Sequence, residues 1–326
     1  MTEHPAITPG PPLSVLDAAA QFVAEQARDL RLHGRRVRKK GDEEAVHDMR
    51  VTTRRLRTAL RALKGHVTTP RDLNGRLRWL AQKLGAVRDQ DVLLALLASE
   101  RLPAAARDER TRLEALIGKL AARRRKALRK LREALTRARY DALREGLKEF
   151  SRAPSPARAD HLMASRVLAS VSERLGAEVA RSPGLTLPDP EAKELHQLRI
   201  LFKRLRYALD FHAAASGLSY DAERRTARAM QDVLGEIHDH DLLLAWLEEG
   251  RGPFAGKWPA LTARLQGERA RLVRRFRRVK KEWAARTRPE PSVAPLAAPR
   301  FVNLEVQPVT LRLVTSPRQV ASGMIA

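Results

Sequence analysis

The sequence has no cysteine among its 326 residues, which excludes disulfide bonds, thiolate metal sites and a cysteine nucleophile. Aromatic residues make up only 4% of the chain, so a buried core must consist mostly of Leu, Ala and Val. No stretch approaches ~18 uncharged apolar residues, the length that a membrane-spanning helix needs. The first residues also lack the basic and apolar regions of a secretory signal. We therefore expect a cytoplasmic protein without membrane contacts.

Catalytic motifs are missing as well. The chain contains no Gly-rich phosphate loop, no HExxH pair and no nucleophile elbow. We therefore expect a protein that is not an enzyme and that needs no cofactor.

The residues that are abundant favour helices and bind anions. Ala, Leu, Arg, Lys and Glu are all good helix formers, and they predict an all-α fold. Lys and Arg number 63 against 38 Asp and Glu, which gives a formal net charge of +25. A charge of this size attracts polyanions but does not specify a fold.

Proline, glycine and capping residues divide the chain into two helical halves joined by a linker. The predicted segments are a disordered N-terminus (1–12), a first four-helix half (13–150), a linker (151–160), a second four-helix half (161–288) and a Pro-rich flexible tail (289–326). In the first half we predict helices from Ser14 to Arg38, Asp42 to Gly65, Pro70 to Glu100, and Pro103 to Phe150.

Two motifs occur once in each half, in the same order. The matching segments are His47–Arg50 with His196–Arg199, Arg54–Arg57 with Lys203–Arg206, and Leu84–Asp91 with Leu234–Asp241. The offset is 149 positions for the first motif and 150 for the second. Two motifs at nearly one offset predict a tandem duplication of a four-helix unit.

The first motif carries two stripes of residues at helical spacing. The apolar stripe predicts a core seam, formed by Met49, Thr53, Leu56, Leu60 and Leu63 in one copy and by Leu198, Phe202, Leu205, Leu209 and His212 in the other. The second stripe is basic: His47, Arg50, Arg54, Arg57 and Arg61, matched by His196, Arg199, Lys203 and Arg206 and ending in Asp210. Like charges at this spacing repel each other, so each basic stripe requires an anionic partner.

Further basic residues flank the stripes and complete the predicted phosphate-binding set. They are Arg55, Lys83, Arg88, Arg123, Lys126, Arg204, Arg274 and Arg277. Arginine suits phosphate because its planar guanidinium donates two parallel hydrogen bonds.

Carboxylates within the chain are one possible partner for these cations. Asp89, Asp91, Asp239 and Asp241 lie in the second motif, and we expect them to pair with or orient arginines. The alternative is a metal site that combines these carboxylates with His47, His196 and His238. The histidines that begin each stripe fit a role as phosphate hydrogen-bond donors, and we expect neighbouring cations to lower their pKa.

An external polyanion is the other possible partner. Binding of bases requires aromatic platforms, each contributing about 1–3 kcal/mol per base, and their scarcity favours a phosphate chain without bases. Two alternatives remain open: nonspecific nucleic-acid binding, which we expect to be weak and confined to low salt, and a metal-dependent phosphohydrolase or the regulator of one.

These motifs resemble the CHAD family, the conserved histidine α-helical domain, over roughly residues 13–288. The resemblance implies two four-helix bundles related by pseudo-twofold symmetry around a basic central pore or groove. It also implies non-catalytic binding of inorganic polyphosphate and targeting to polyphosphate granules. CHAD domains often accompany a triphosphate tunnel metalloenzyme domain, whose Glu-x-Glu-x-Lys strand the flanks lack, so we expect this copy to stand alone. Lys203, Asp210 and His238 depart from Arg54, Arg61 and Arg88 of the first copy.

Overall fold

The structure, a computed structural model, describes residues 14–156, 163–216, 219–250 and 252–287. The predicted N-terminal segment, the tail from 289 and residues 157–160 of the predicted linker lie outside these residues. The described residues up to 286 belong to one compact unit.

The described residues fold almost entirely into helices, which confirms the predicted all-α class. The ten α-helices are α1 (Val15–Lys39), α2 (Glu43–Ala62), α3 (Leu73–Ser99), α4 (Arg107–Ala134), α5 (Ala138–Arg152), α6 (Ala164–Ala180), α7 (Pro183–Thr186), α8 (Ala192–Ser216), α9 (Asp221–Glu249) and α10 (Pro259–Thr287). A 3-10 turn at Gly252–Phe254 precedes α10. In this part of the chain, no helix is long and apolar enough to cross a bilayer.

The capping residues read from the sequence begin the first two helices. The Ser14 hydroxyl accepts a hydrogen bond from the backbone N–H of Asp17 (3.1 Å), and the Asp42 carboxylate accepts one from Ala45 (2.7 Å). Gly41 ends α1 at a φ of 65°, and a Cβ there would lie 2.8 Å from a methyl carbon of Leu128. The turn between α1 and α2 therefore requires glycine, both for the left-handed backbone and because a Cβ has no room there.

The predicted single helix from Pro103 to Phe150 is wrong. The chain leaves the helix at Leu135 and begins α5 after Arg137, whose backbone is extended. The break turns α5 back against α1 and α3 and buries Tyr140 and Phe150 in the core. Residues 135–137 contain neither Pro nor Gly, so tertiary packing, and no local sequence signal, sets this break.

Part of the predicted linker forms secondary structure. Strand β2 (Ser155–Pro156) pairs antiparallel with β1 (Val67–Thr68), which lies between α2 and α3. The end of the first half is thereby attached to the loop that follows the basic helix α2.

Three apolar clusters form the core. The predicted seam residues of α2 and α8 are all buried, since none exposes more than 6% of its surface. One cluster centres on α1, α2, α3 and α5, and a second on α6, α8, α9 and α10. The third, which we call the shared cluster, packs Leu97 of α3 and Leu116 of α4 against Leu243 of α9 and Leu261 of α10.

A buried carboxylate reinforces the shared cluster. Glu109 of α4, only 6% exposed, accepts hydrogen bonds from the backbone N–H groups of Ala260 (3.0 Å) and Leu261 (3.1 Å) at the start of α10. An acid at a helix N-terminus satisfies free N–H groups and favours the helix dipole. This contact holds the first turn of α10 against α4.

Candidate functional site

A basic cleft of about 390 Å³ lies where α2 and α3 meet α8 and α9, and residues of both halves line it. We call it the basic cleft. The predicted site residues that line it are His47, Arg50, Arg54, Arg88 and Arg199. The other lining residues are Val51, Asp89, Val92, Leu93, His238, Asp239, Leu242 and Trp246.

The two basic stripes meet because α2 packs against α8. Arg54 of α2 donates a hydrogen bond from its Nη1 to the hydroxyl of Tyr207 on α8, at 3.1 Å. The guanidinium of Arg206 lies 4.7 Å from the centre of the same ring. Tyr207 is buried, so its ring fixes the position of Arg54 where the halves join.

Lys203 lies among the arginines of the cleft. It is half-buried, and Arg54, Arg199 and Arg50 are the three strongest charges acting on it. Burial, and then these cations, lower the pKa of Lys203 to about 7. Burial likewise lowers the pKa of Arg50 and of Arg199. The site holds concentrated positive charge at an energetic cost to the free protein.

The first aspartate of each repeated motif lies in the cleft. Burial raises the pKa of Asp89, while Arg50 and Arg88 oppose that rise. Burial also raises the pKa of Asp239, which Arg199 opposes most strongly. These two carboxylates balance only part of the positive charge around them.

The second aspartate of each motif points away from the cleft. Asp91 forms an ion pair with Arg124 of α4, and Asp241 forms the matching pair with Arg269 of α10. The expected pairing of these carboxylates with arginines is confirmed, although the partners lie outside the stripes. In the residues that the structure describes, no group of three His, Asp or Glu side chains could hold a metal ion.

The cleft histidines differ between the halves. In the second half His196 and His238 are in contact, with their Nδ1 atoms 3.1 Å apart. Burial, followed by Arg199, lowers the pKa of His238 to about 4 and also lowers the pKa of His196. His47 has its pKa lowered by burial and by Arg88. The expected lowering of the histidine pKa values is confirmed, and burial contributes more to it than the neighbouring cations do.

Two predicted residues line a separate basic cavity of about 230 Å³ further along α8. Arg55 and Arg206 are joined there by Asp210, Asp221, Arg224, Arg225 and Arg228. The Nε atoms of Arg55 and Arg206 are buried and lack a hydrogen-bond partner among the described residues. Arg224 donates to Asp210 at 2.7 Å, so part of the charge is balanced internally.

The remaining predicted residues are not among those that line the basic cleft. Arg57 lies near Arg61 and Arg78, whose charges help burial to lower its pKa. Arg277 forms an ion pair with Asp189 (3.1 Å), at the loop before α8. Arg123, Lys126 and Arg274 are exposed, while Lys83 and Arg204 are half-buried.

Sequence reasoning missed several cleft residues. Next to the cleft, the contact of the Tyr207 hydroxyl with Arg54 joins the two halves and leaves no local signal in the sequence. Trp246 and Leu242 follow the second motif on α9 and add an apolar wall. The offset of 150 aligns His238 with Arg88, yet the predicted phosphate-binding set leaves His238 out.

The sequence matches a known protein family. The family model of the CHAD domain matches residues 21–248. Two sequences of Mycobacterium tuberculosis, uncharacterized protein Rv2226 of strain H37Rv and uncharacterized protein MT2285 of strain CDC 1551, are each 31% identical over 247 residues. The match covers 72% of this chain and 46% of theirs, so the chain spans about half the length of these relatives.

Two solved structures share the fold. The CHAD domain of the plant Ricinus communis superposes with a TM-score of 0.62 at 22% identity and covers 85% of this chain and 97% of that chain. PptA from Streptomyces chartreusis gives a TM-score of 0.62 at 19% identity, with 84% and 99% covered. At these identities the likeness shows the all-helical fold alone.

Proposed function

Because the chain belongs to the CHAD domain family, we propose that it binds inorganic polyphosphate in the basic cleft without catalysing a reaction. The observation that carries the proposal is the convergence of cations from both halves on one cavity. Arg50 and Arg54 line it from α2 and Arg199 lines it from α8, and Lys203 lies close to these three arginines. Cations held this close repel each other, and the negative charges of a bound polyanion offset that repulsion by attracting them.

A polymer fits the arrangement better than a single phosphate. The basic cleft and the cavity around Arg55 and Arg206 both lie along α8, so one chain of phosphates can contact both. Contacts on one chain act together, which raises affinity far above that of each contact alone. Long polyphosphate is therefore expected to bind much more tightly than ATP or free phosphate.

Charge reversal in the cleft tests the site. Each charged hydrogen bond contributes about 1.5–3 kcal/mol, so Arg54→Glu combined with Arg199→Glu should weaken binding of long-chain polyphosphate by ~100-fold or more. The matched control is Arg110→Glu with Arg174→Glu, two exposed arginines outside the cleft. It changes net charge equally and should weaken binding only slightly. Equal losses in the two double variants, measured by titration calorimetry, would show that the cleft is not the site.

Salt dependence separates charge-driven binding from other kinds. Binding through phosphates releases counterions, so the logarithm of the affinity falls linearly with the logarithm of salt concentration. The Arg54/Arg199 variant should show a shallower slope than the control variant, because it has lost phosphate contacts. An unchanged salt dependence would show that other residues make the phosphate contacts.

Nucleic acid is the competing polyanion. Trp246 is the aromatic side chain in the wall of the basic cleft, and it already stacks on Phe254 with ring centres 5.7 Å apart. We therefore propose a preference for chains without bases. Competition between polyphosphate and single-stranded DNA at physiological salt measures it, and comparable affinity for both would refute it.

The absence of catalysis is part of the proposal and has its own test. We expect no phosphate release from polyphosphate with Mg²⁺ or Mn²⁺, and release that His47→Ala abolishes would establish an enzyme instead. Binding of the polymer would also concentrate the protein on polyphosphate granules, which fluorescence of the tagged protein in cells would reveal.

A further inference from the structure

The two walls of the basic cleft carry cations of different kinds. At matching positions the first half has Arg54 and Arg88, and the second half has Lys203 and His238. Arginine keeps its charge at every accessible pH, whereas lysine and histidine lose theirs readily when buried. At these two positions the charge of the first half is therefore fixed, and that of the second half depends on protonation. His47 of the first half, which also lines the cleft, is titratable as well, and burial and Arg88 lower its pKa.

Lys203 is placed so that its proton is held weakly. The four strongest charges that act on it come from Arg54 and Arg50 of α2 and from Arg199 and Arg204 of its own helix, and all four are positive. Together with burial they bring the pKa of Lys203 to about 7. In the free protein a large share of Lys203 side chains is therefore neutral at physiological pH.

The histidine pair is a second protonation site. A hydrogen bond between the Nδ1 atoms of His196 and His238 uses one proton, donated by one ring and accepted by the other. Protonation of both rings breaks this bond and adds two charges beside Arg199. The free cleft therefore favours the neutral pair.

The other charged groups of the cleft do not compensate Lys203 or the histidine pair. Asp239 of α9 acts on Arg199, and Asp89 of α3 acts on Arg50. Arg88 of α3 lies near both carboxylates and pairs with Glu43. None of these carboxylates is among the four strongest charges that act on Lys203, or among the three strongest that act on His238, in the described structure.

We propose that the second half of the cleft binds its anion together with protons, which Lys203 and the His196–His238 pair take up when a phosphate chain enters. The inference rests on the proposed function and adds a regulation of the same site. A phosphate chain cancels the repulsion from the arginines and stabilises the charged forms of these three side chains. By linkage, protons then favour binding as much as binding favours protonation.

The sign and the pH windows follow from the free and bound states. Lys203 has a pKa of about 7 when free, and a bound polyanion moves it back towards its ordinary value of about 10.4. Above about pH 7 the affinity should therefore fall, by up to ~10-fold per pH unit for one linked proton. The histidine pair should make the affinity fall with pH in a second range as well. This range runs from about pH 4, the pKa of His238 in the free protein, to about pH 6.5, the ordinary pKa of histidine.

Titration calorimetry in two buffers of different ionisation enthalpy counts these protons directly. With long-chain polyphosphate at about pH 8.5, the wild-type protein should take up about one proton more per site than Lys203→Arg. That variant places in the second half the residue that the first half already has, and it shares with wild type any protons exchanged by the ligand itself. Equal uptake by the two proteins would overturn the inference while leaving polyphosphate binding intact.

Two further measurements separate the possible outcomes. The variant His238→Arg should take up fewer protons than wild type at about pH 5.5, where His47 still contributes, and should keep the uptake at about pH 8.5. In the unmutated protein, NMR of the Lys203 Nζ should show a pKa that rises when polyphosphate is added, and an unchanged pKa would refute the mechanism. No binding by wild type at low salt would overturn the proposed function and this inference together.

Discussion

The two ion pairs of the repeated motif allow the effect of burial on stability to be compared within one protein. Replacing Asp91 by Asn removes the anionic partner of Arg124, and replacing Asp241 by Asn does the same to Arg269. The two substitutions are chemically identical and occupy matching positions. They differ in burial, which decides how much an unpaired guanidinium costs.

The exposed fractions set the expected magnitudes. The Asp91 side chain exposes 2% of its surface and that of Arg124 21%, against 16% and 30% for Asp241 and Arg269. Breaking a buried pair by removing one partner costs about 3–5 kcal/mol, so Asp91→Asn should lose roughly 3 kcal/mol. Water reaches the second pair more easily, and a surface pair contributes about 0–1 kcal/mol, so Asp241→Asn should fall between these limits.

Urea unfolding followed by circular dichroism measures both losses on the same scale. The affinity of each variant for polyphosphate should stay close to that of wild type, because both aspartates point away from the cleft. Equal destabilisation, or a larger loss for Asp241→Asn, would refute the burial argument. A specific loss of binding in a still stable variant would show that these carboxylates serve the ligand and not the fold.

Three further predictions concern the free protein. Gly34→Ala should destabilise it, because the new Cβ would lie 2.6 Å from the Tyr140 hydroxyl, and adding Tyr140→Phe should recover most of the loss in urea unfolding. Lys203→Met should stabilise the protein more at about pH 6 than at about pH 9.5. The folded protein lowers the pKa of Lys203, so the charged lysine destabilises it fully below that pKa, and this cost disappears as pH rises towards the pKa of the unfolded chain. An equal gain in stability at both pH values would contradict this. Glu109→Gln should lose about 1–2 kcal/mol through the weakened cap of α10, and amide hydrogen exchange should rise first at Leu261.

The sequence was sufficient to predict helices whose ends have local causes. Ser14 and Asp42 cap their helices through side-chain oxygens, and Gly41 requires a left-handed backbone, all of which can be read from residue type. The end of α4 at Leu135 has no such cause. It depends on the burial of Tyr140 against α1, which is a contact between distant segments.

The same distinction applies to the site. The spacing of Arg50 and Arg54 on one helix face follows from helical geometry alone, and the structure places both in the cleft. Periodicity does not reveal a partner from another part of the chain, such as Asp189, which pairs with Arg277. It also does not tell the two aspartates of a motif apart. Helical geometry places Asp89 and Asp91 on opposite sides of α3, but only the positions of Arg50 and Arg124 show which of the two faces the cleft.

The shared cluster determines how the cleft responds to its own charge. Leu97 and Leu116 interlock with Leu243 and Leu261 behind the cleft, and each buried leucine contributes about 1.5–3 kcal/mol. This apolar packing joins α3 and α4 to α9 and α10, and Leu93 and Trp246 extend it to the wall of the cleft. The proposed phosphate chain would therefore meet a preorganised opening and would lose little binding free energy to rearrangement of the protein. The shared cluster also makes the stability of each half depend on the other, because either half expressed alone would expose its leucines to water.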